Sequence, residues 1–338
     1  MRIGNHPYKD KELDTTKYTH QIIVPVYIPN EDGYFKDAFK IFNYCLQSLI
    51  TTVHSQTFIT IVNNGSNLKV INYLNELLYQ QKIHELIHTE NIGKLNAILK
   101  GLAGNNIDLV TITDADVLFK PNWQQETYKV FNTFTKAGVV GLIPQFKMFE
   151  LYCGNVLFDT FFSKKVQFTK VKSKDELAQF YKSIGWEPNY NPNYLQQNLS
   201  ITHTQCTAII GAGHVVATYK KELFETIKTY IGAKMGANSE GYLDKAPLYK
   251  GLWRLTTEKN MAYHMGNVVE PWMEEVSTAP TEKAIEIPLL NTYKSKKNIS
   301  SFLFFIKNRL FGKLFSNSHF KKLYYRYKKL PKEMIQNY

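Results

Sequence analysis

Cysteine is scarce in this sequence, which has only Cys45, Cys153 and Cys206 in 338 residues. Three scattered thiols cannot build a disulfide framework, and this usage favours a reducing compartment. His203 stands three positions before Cys206, but one such pair without a second pair of ligands falls short of a zinc site. We therefore predict that Cys206 is a packed thiol.

Long apolar runs are also missing. No stretch approaches the roughly 20 apolar residues that span a bilayer. The N-terminal stretch MRIGNHPYKDKELD lacks the apolar segment of a signal peptide. These two features lead us to expect a cytoplasmic protein.

Acidic residues are absent from one long stretch, residues 294–332, which holds twelve Lys and Arg. The whole chain has 41 Lys and Arg and 29 Asp and Glu, so the remainder is balanced at 29 basic against 29 acidic residues. The formal charge of +12 therefore belongs to the C-terminal segment. A balanced body offers no broad basic groove, and we predict that nucleic acid is not a partner.

Apolar runs of strand length alternate with helical periodicity along the first third of the chain. Such alternation predicts a mostly parallel sheet with right-handed crossovers and helices on both faces. Predicted strands here are 20–26, 58–62, 85–88 and 109–113, and predicted helices are 35–53, 68–79 and 94–102. Further along, the patterns predict helices at 124–134 and 221–230 and strands at 139–143, 207–213, 215–219 and 261–266.

The fourth predicted strand ends at two acids separated by one residue, Asp114 and Asp116. Ligands of open α/β sheets bind just beyond the carboxyl ends of the strands. Two carboxylates there repel each other unless a positive charge lies between them. One interpretation is a divalent-cation site, because carboxylate oxygens suit Mg²⁺ and Mn²⁺. The other is a turn whose acids cap the helix that follows Pro121.

Polar loops follow the other three strands: PVY at 25–27, NNGS at 63–66 and NIGK at 91–94. In this order, and followed by DAD at 114–116, they resemble the nucleotide-sugar half of inverting glycosyltransferases of family 2, which have the GT-A fold. The resemblance is close over about 21–123 and looser to about residue 275. It implies an enzyme that transfers a sugar from a nucleoside diphosphate donor, expected to be a UDP-sugar, to an acceptor hydroxyl. The implied cofactor is Mn²⁺ or Mg²⁺.

By position, the resemblance places residues 25–27 beside the nucleobase and Asn64 at the uracil or ribose. It places Lys94 near the diphosphate, assigns Asp114 to ribose and metal, and assigns Asp116 to metal. A cation and a lysine at the diphosphate would stabilise the negative charge that develops on the leaving group.

Two features depart from the family pattern. The family usually carries acids where this chain has Asn63 and Asn64, although an amide can also bond to uracil or ribose. The second feature is Leu99, which stands where a motif asparagine is common. For Lys94, the alternative to a position near the diphosphate is a solvated lysine at the start of a helix. The donor-binding residues implied by the resemblance are Pro25, Val26, Tyr27, Asn63, Asn64, Asn91, Gly93, Lys94, Asp114 and Ala115.

Residues 239–244 are predicted to open a helix that carries Leu248, Leu252, Trp253 and Leu255. In the family, an acid at the start of this helix is the general base. We favour Asp244, because it is expected to sit directly at the helix, over Glu240, which is expected to lie in a Gly-flanked loop. Asp244 is alternatively a first-turn acid that complements the helix dipole.

His264 lies near the end of the strand predicted at 261–266. In many GT-A enzymes a histidine placed this late completes the metal shell with the two acids, so the implied ligands are Asp114, Asp116 and His264. The alternative is a hydrogen-bonded structural histidine. His203 and His214 are weaker candidates.

The region from Phe146 to Ser200 is a long insertion, which in a compact fold is often a binding lid. Its aromatic residues are expected to belong to the core or, alternatively, to form a stacking surface for sugar rings. They are Phe158, Phe161, Phe162, Tyr190 and Tyr194.

The C-terminal segment combines an amphipathic pattern with its basic charge. Leu303, Ile306, Leu310 and Leu314 share one helical face, and the tyrosines of residues 324–327 alternate with Lys and Arg. This pattern favours an anionic bilayer surface, at about 1 kcal/mol per Lys or Arg near it. The alternative is a solvated basic tail.

The sequence thus predicts a GT-A-like α/β domain over residues 1–290, with a nucleotide-sugar half at about 20–123 and an acceptor half at about 124–280. A separate membrane-surface segment follows at 291–338. The predicted function is metal-dependent transfer of a sugar, with inversion, to a cell-surface glycan or lipid-linked acceptor at the cytoplasmic face of the membrane. Two alternatives are a nucleotidyltransferase that forms sugar nucleotides and a non-catalytic binding protein that uses the basic tail.

Overall fold

A mixed sheet of ten strands and a separate two-stranded pair organise the protein. The computed structural model describes residues 8–12, 16–186, 190–225, 230–232, 234, 240–278 and 297–338. The strands are β1 (His20–Val26), β2 (Thr57–Asn64), β3 (Glu85–Thr89), β4 (Leu109–Thr113), β5 (Val117–Phe119), β6 (Ala137–Gly141), β7 (Val166–Lys170), β8 (Gln197–Thr202), β9 (Thr207–Ile210), β10 (Val216–Lys220), β11 (Trp253–Thr257) and β12 (Ala262–His264). The large sheet has the order β3-β2-β1-β4-β10-β6-β11-β9-β8-β7, and β12 pairs with β5.

Helices cover both faces of the sheet, as the alternation of the first third predicts. They are α1 (Ala38–Thr52), α2 (Leu68–Tyr79), α3 (Lys94–Leu102), α4 (Trp123–Thr133), α5 (Gly154–Asp159), α6 (Lys174–Ser183), α7 (Glu240–Tyr249), α8 (Pro271–Thr278), α9 (Ser301–Phe304), α10 (Phe311–Ser316) and α11 (Ser318–Tyr327), with a π-helical stretch at Phe305–Leu310. Short 3₁₀ turns occur at Gly33–Phe35, Met148–Glu150, Pro192–Leu195, Lys221–Phe224 and Lys332–Met334.

The first half of the sheet is parallel, because β1 pairs in parallel with both β2 and β4, and β2 pairs in parallel with β3. Successive side chains of a strand point to opposite faces. Ile22 and Val24 accordingly join the core cluster that contains α1 and α2, whereas Ile23 joins the cluster that contains α3. This α/β architecture confirms the predicted fold class. It also brings the carboxyl ends of β1, β2 and β4 to one edge of the sheet.

The second half of the chain adds strands of both directions. β10 lies antiparallel between β4 and β6, and β11 pairs in parallel with β6 and antiparallel with β9. The insertion after Phe146 contributes β7 and β8, which extend the far end of the sheet. This region therefore contains regular structure of its own and is not a bare loop.

The prediction of a helix from residue 239 through Leu255 is wrong in its second half. α7 ends at Tyr249, and Gly251 then adopts a left-handed conformation with φ of +67°. The Leu252 N–H donates to the carbonyl of Pro247 at 2.9 Å. A glycine in this conformation ends a helix at little cost, so the chain reverses and Trp253–Thr257 becomes strand β11.

A second predicted helix, at 221–230, is described only at its start. Lys221–Phe224 forms a 3₁₀ turn, and residues 226–229 lie outside the described part of the chain.

The C-terminal residues 297–338 pack onto the body, which differs from the expectation of a separate segment. The covered face carries Lys307, Phe311 and Phe315, whereas Leu310 and Leu314 of the predicted apolar face are 57% and 48% exposed. None of the described helices is long and apolar enough to cross a bilayer. The division at residue 291 stays a prediction, because 279–296 lie outside the described residues. The shared cluster includes Phe149, Phe168, Phe311, Phe315, Tyr324 and Tyr325.

An ion pair fastens this segment to the body. Lys307 Nζ lies 2.5 Å from Asp159 Oδ1 at the end of α5, and both side chains are 9% exposed. Burial alone would raise the pKa of Asp159, but hydrogen bonds from Lys136, Lys307 and Trp253 hold it below its usual value. The carboxylate is therefore charged at neutral pH and keeps its attraction for Lys307.

Candidate active site

The predicted acid pair lies at the carboxyl edge of the parallel strands. Asp114 follows β4 directly, and its backbone N–H donates to the carbonyl of Val215 at 2.9 Å, next to β10. Asp116 precedes β5, and its carbonyl accepts from Met265 N–H at 2.8 Å, just beyond β12. Both ends of the acid loop are thus fixed by neighbouring strands.

Lys94 supplies a positive charge beside the first acid. Its Nζ lies 2.5 Å from Asp114 Oδ1, and the two side chains are 24% and 23% exposed. Burial and the neighbouring Asp116 raise the pKa of Asp114 above its usual value, although Lys94 opposes this shift. Gly93, with φ of +87°, turns the chain into α3 so that Lys94 is its first residue.

His264 approaches the second acid. The pairing of β12 with β5 places His264 opposite Val117, and its Nε2 lies 3.3 Å from Asp116 Oδ2. The other ring nitrogen, Nδ1, is 2.8 Å from Ser183 Oγ. Burial lowers the pKa of His264, but the hydrogen bond and charge of Asp116 outweigh it and raise the pKa above its usual value. Lys94, Asp114, Asp116 and His264 therefore form one cluster.

A divalent cation fits the chemistry of this cluster. Asp116 Oδ1 is buried and has no hydrogen-bond partner among the described residues. An unpaired buried oxygen is costly, and a carboxylate beside an imidazole is a suitable donor set for Mn²⁺. As arranged, the described residues contain no group of three His, Cys, Asp or Glu side chains that could hold a metal ion. The metal site stays a prediction.

Asn63 and Asn64, which are predicted to contact the nucleotide, are buried and hold the loops around the site. Asn63 Oδ1 accepts from Ser66 N–H at 3.0 Å, and Asn64 Oδ1 accepts from Ile92 N–H at 2.9 Å. Asn91 approaches Gly65 so closely that a Cβ at Gly65 would lie 2.9 Å from the Asn91 nitrogen. The loops after β2 and β3 are therefore locked together beside Lys94.

The residues predicted to border the nucleobase differ in exposure. Pro25 and Val26 are the buried last residues of β1. Tyr27 is 40% exposed, and its ring meets the ring of Phe35 edge-on at 5.8 Å. Of these three, Tyr27 has the side chain that a ligand can reach. Ala115, between the two acids, is partly buried against the core.

Asp244 lies on the other side of the site, in a buried ion pair. Its Oδ1 is 2.6 Å from a guanidinium nitrogen of Arg254 in β11, with side chains 10% and 1% exposed. The same guanidinium group donates to the carbonyls of Leu151 and Ala212. Asp244 Oδ2 lies 4.0 Å from His214 Nδ1.

The reason for favouring Asp244 over Glu240 is wrong. Glu240 is the first residue of α7, and Asp244 lies one turn inside the helix. The side chain of Glu240 lies outside the described residues. The acid at the helix start is therefore Glu240.

Three side chains that approach predicted site residues are poorly marked in the sequence. Ser183 lies in the insertion, Arg254 falls in the second half of the helix that the sequence predicts, and His214 is a weaker candidate than His264. His214 directly precedes Val215, which binds the Asp114 backbone, so it stands between the two sets of acids. A sequence signal exists only for Arg254, whose charge lies among apolar residues of the run GLWRL.

Comparisons with known proteins point to one family. The model described as Glycosyl transferase family 2 matches residues 22–208. No curated protein sequence matches the chain. Among solved structures, S. aureus TarS 1–349 in complex with UDP-GlcNAc is 12% identical, with 78% of this chain and 62% of that chain covered and a TM-score of 0.45. Mannosyltransferase PcManGT from Pyrobaculum calidifontis, in complex with GDP-Man and Mn²⁺, is 14% identical, with 76% and 59% covered and a TM-score of 0.42. The chain thus spans less than two thirds of either protein's length.

Proposed function

The chain belongs to glycosyl transferase family 2, and from this premise we propose that it transfers a sugar from a UDP-sugar to a hydroxyl of a cell-surface glycan or lipid-linked acceptor, with inversion. The observation that carries the proposal is the cluster at the carboxyl edge of the parallel strands. There Lys94 lies 2.5 Å from Asp114, and His264 lies 3.3 Å from Asp116. Ligands of open α/β sheets bind at this edge.

The charges of the cluster suit a diphosphate leaving group. Lys94 would stabilise the negative charge that grows on the diphosphate as the glycosidic bond breaks, because a preorganised cation acts more strongly on the transition state than on the ground state. Asp114, Asp116 and His264 would hold a divalent cation, which would act as a Lewis acid on the same oxygens. On the acceptor side, Glu240 and Asp244 are the candidates for the base that removes the hydroxyl proton.

A nucleotide-sugar screen tests this function. The purified protein is incubated with UDP-, GDP- and CMP-sugars, with Mn²⁺, Mg²⁺ or a chelator, and release of the free nucleotide is measured. We expect metal-dependent release of UDP from one UDP-sugar. Formation of pyrophosphate from a nucleoside triphosphate and a sugar phosphate would instead identify a nucleotidyltransferase. Absence of both reactions and of nucleotide binding would favour a non-catalytic binding protein.

We further propose that the C-terminal segment binds an anionic membrane at its outward face. Phe302 and Phe305 are 74% and 54% exposed, and Leu310 and Leu314 are 57% and 48% exposed. Arg309 and Lys313 are exposed in the same stretch. Exposed apolar groups beside basic charge match the headgroup region of an anionic bilayer. Such binding would hold the enzyme at the cytoplasmic face.

Removal of two charges from this face tests the membrane proposal. A deletion from residue 294 onward would uncover the cluster shared with the body, so the test uses the double variant Arg309→Gln/Lys313→Gln. Loss of two basic residues should weaken binding to phosphatidylserine-containing vesicles by about 2 kcal/mol, or roughly 30-fold. Sedimentation with vesicles measures the effect, and Lys36→Gln/Lys82→Gln serves as a control that removes the same charge elsewhere. Equal binding by both double variants would refute the proposal.

A further inference from the structure

The side chain of Ser183, the last residue of α6, links the insertion to the candidate active site. Its Oγ lies 2.8 Å from Nδ1 of His264. The same hydroxyl donates to the carbonyl of Phe180 at 2.7 Å. A serine hydroxyl has one proton to donate and two lone pairs that accept. Because that proton is already used at Phe180, Oγ accepts the hydrogen bond from His264, and Nδ1 is the protonated nitrogen.

This hydrogen bond decides which nitrogen of His264 can bind a cation. A neutral imidazole has one protonated nitrogen and one nitrogen with a free lone pair, and it binds metal ions through that lone pair. With the proton on Nδ1, the lone pair lies on Nε2. Nε2 is the nitrogen that approaches Asp116, at 3.3 Å from Oδ2. Ser183 therefore directs the metal-binding nitrogen toward the acid pair.

The position of Ser183 is fixed because α6 is attached at both ends to the strand pair β5 and β12. Near its start, Glu176 accepts hydrogen bonds from Lys120 at 2.6 Å and from Tyr263 at 3.1 Å. Lys120 directly follows β5, and Tyr263 lies in β12. At its end, a Cβ placed on Gly266 would lie 3.0 Å from the carbonyl oxygen of Ser183. The chain beyond β12 thus packs closely against the last residue of α6.

The ring of His264 is held in one orientation. The side chain is 12% exposed, and the ring of Phe180 meets it edge-on, with centroids 5.9 Å apart and planes 71° apart. If the ring flipped over, its carbon Cδ2 would face Ser183, and the hydrogen bond would be lost. The observed orientation is therefore the one that the Ser183 hydroxyl favours.

Ser316 provides a comparison within the same chain. It is the last residue of α10, and its hydroxyl donates to the carbonyl of Lys313 at 2.7 Å, three residues back, as that of Ser183 does to Phe180. Such a bond satisfies one of the carbonyls that a helix leaves without a partner at its C-terminus. The bond to Phe180 therefore accounts for the end of α6, and acceptance from His264 is an additional contact.

From these contacts we infer that Ser183 is a positioning residue of the candidate metal centre, which holds His264 with its proton on Nδ1 and its Nε2 turned toward the cation site. The inference rests on the proposed function and extends its metal site to a residue of the insertion. Hydrogen-bond partners of this kind fix the orientation of a histidine ligand, and their loss typically costs about 10–100-fold in metal affinity. The insertion thereby contributes to the donor half of the site.

Mn²⁺ binding tests the inference. The full chain is titrated with Mn²⁺ in the presence of UDP, and free Mn²⁺ is measured by electron paramagnetic resonance. Ser183→Ala removes the acceptor and should raise the dissociation constant of Mn²⁺ about 10–100-fold. Ser183→Thr keeps a hydroxyl that can bond to the carbonyl three residues back, so it should raise the constant less than about 3-fold. Ser316→Ala is the matched control, because it removes the same helix-end bond in α10, and it should leave the constant unchanged.

Spectroscopy of the bound Mn²⁺ separates positioning from a general loss of structure. Pulsed electron paramagnetic resonance detects the magnetic coupling between Mn²⁺ and an imidazole nitrogen bound to it. At saturating Mn²⁺ we expect this coupling in the wild-type protein, a clearly reduced coupling in Ser183→Ala and none in His264→Gln. Ser183→Cys keeps a side chain of similar size but offers a weak acceptor. It should also weaken Mn²⁺ binding, which keeps the inference testable if Ser183→Ala does not fold.

Two results would overturn the inference. In the first, folded Ser183→Ala and Ser183→Cys bind Mn²⁺ with the affinity and the nitrogen coupling of the wild-type protein. In the second, the wild-type protein binds UDP and Mn²⁺ without any nitrogen coupling, since His264 is then not a ligand. Wild-type protein that binds no nucleotide overturns the proposed function itself.

Discussion

Asp116→Asn is expected to abolish metal-dependent binding of UDP while the protein remains folded. The Asp116 side chain is 32% exposed, and its Oδ1 is buried with no hydrogen-bond partner among the described residues. An amide keeps the shape of the side chain but loses the charge that a divalent cation requires. At a UDP concentration 100 times its dissociation constant, the wild-type protein should gain about 2.7 kcal/mol of unfolding free energy. The variant should gain almost none.

Thermal unfolding with and without UDP and Mn²⁺ measures this difference. Asp108→Asn is the matched control, because Asp108 is an exposed acid just before the opposite end of β4. It should respond to UDP as the wild-type protein does. If Asp116→Asn keeps the full Mn²⁺-dependent stabilisation, the cation is bound elsewhere and the two acids are turn residues, as the alternative interpretation of the sequence holds.

The nucleotide half of the site is predictable from sequence because its signals are local. β1, β2 and β4 each appear as short apolar runs, and each is followed at once by polar residues. In a parallel sheet the carboxyl ends of neighbouring strands share one edge. Prediction of the strands and their direction therefore suffices to bring Asn64 and Asp114 close together, without knowledge of any side-chain contact.

The acceptor half is less predictable because its contacts join distant parts of the chain. Nothing in the periodicity of residues 240–255 marks the end of α7 at Tyr249, since the apolar spacing continues past Gly251. The left-handed conformation of that glycine converts the predicted helix into a strand. As a result Arg254 faces Asp244 from β11. Ser183 contacts His264 from the insertion, and the sequence pattern of the insertion does not indicate where it packs on the sheet.

The C-terminal segment shows a different limit. An apolar stripe on a basic helix is required both for packing on a protein surface and for binding to a bilayer. The sequence cannot distinguish these two uses. In the structure Phe311 and Phe315 serve the first, and the exposed Phe302 and Phe305 are left for the second.

Glu240→Gln is expected to lower turnover by about 10²–10⁴-fold, the usual contribution of a positioned general base. Family resemblance places the base at the start of α7, and the acid there is Glu240. Donor binding should change little, because the donor residues lie on the opposite half of the sheet. Asp244→Asn should act differently. It removes the carboxylate that pairs with the buried Arg254. This loss should reduce the free energy of unfolding by about 3–5 kcal/mol.

Arg254→Met separates the two roles of Asp244. This variant breaks the same ion pair from the other side but keeps the carboxylate, so it serves as the matched control for Asp244→Asn. Turnover is measured per folded molecule, at a temperature below the unfolding transitions of both variants. If Asp244 only holds Arg254, the two variants should lose stability and turnover to a similar extent, and Glu240→Gln should lose far more turnover than either.

The opposite outcome would return the base to Asp244. A base must accept the acceptor's proton, and Asp244 has one oxygen, Oδ2, on the His214 side, whereas Oδ1 faces Arg254. In that case Asp244→Asn should lose at least 100-fold more turnover than Arg254→Met, because only the first removes the proton acceptor, while Glu240→Gln stays near normal. If none of the three variants lowers turnover by more than about 10-fold per folded molecule, no carboxylate of α7 takes the proton. An inverting displacement with a base on this helix would then be excluded.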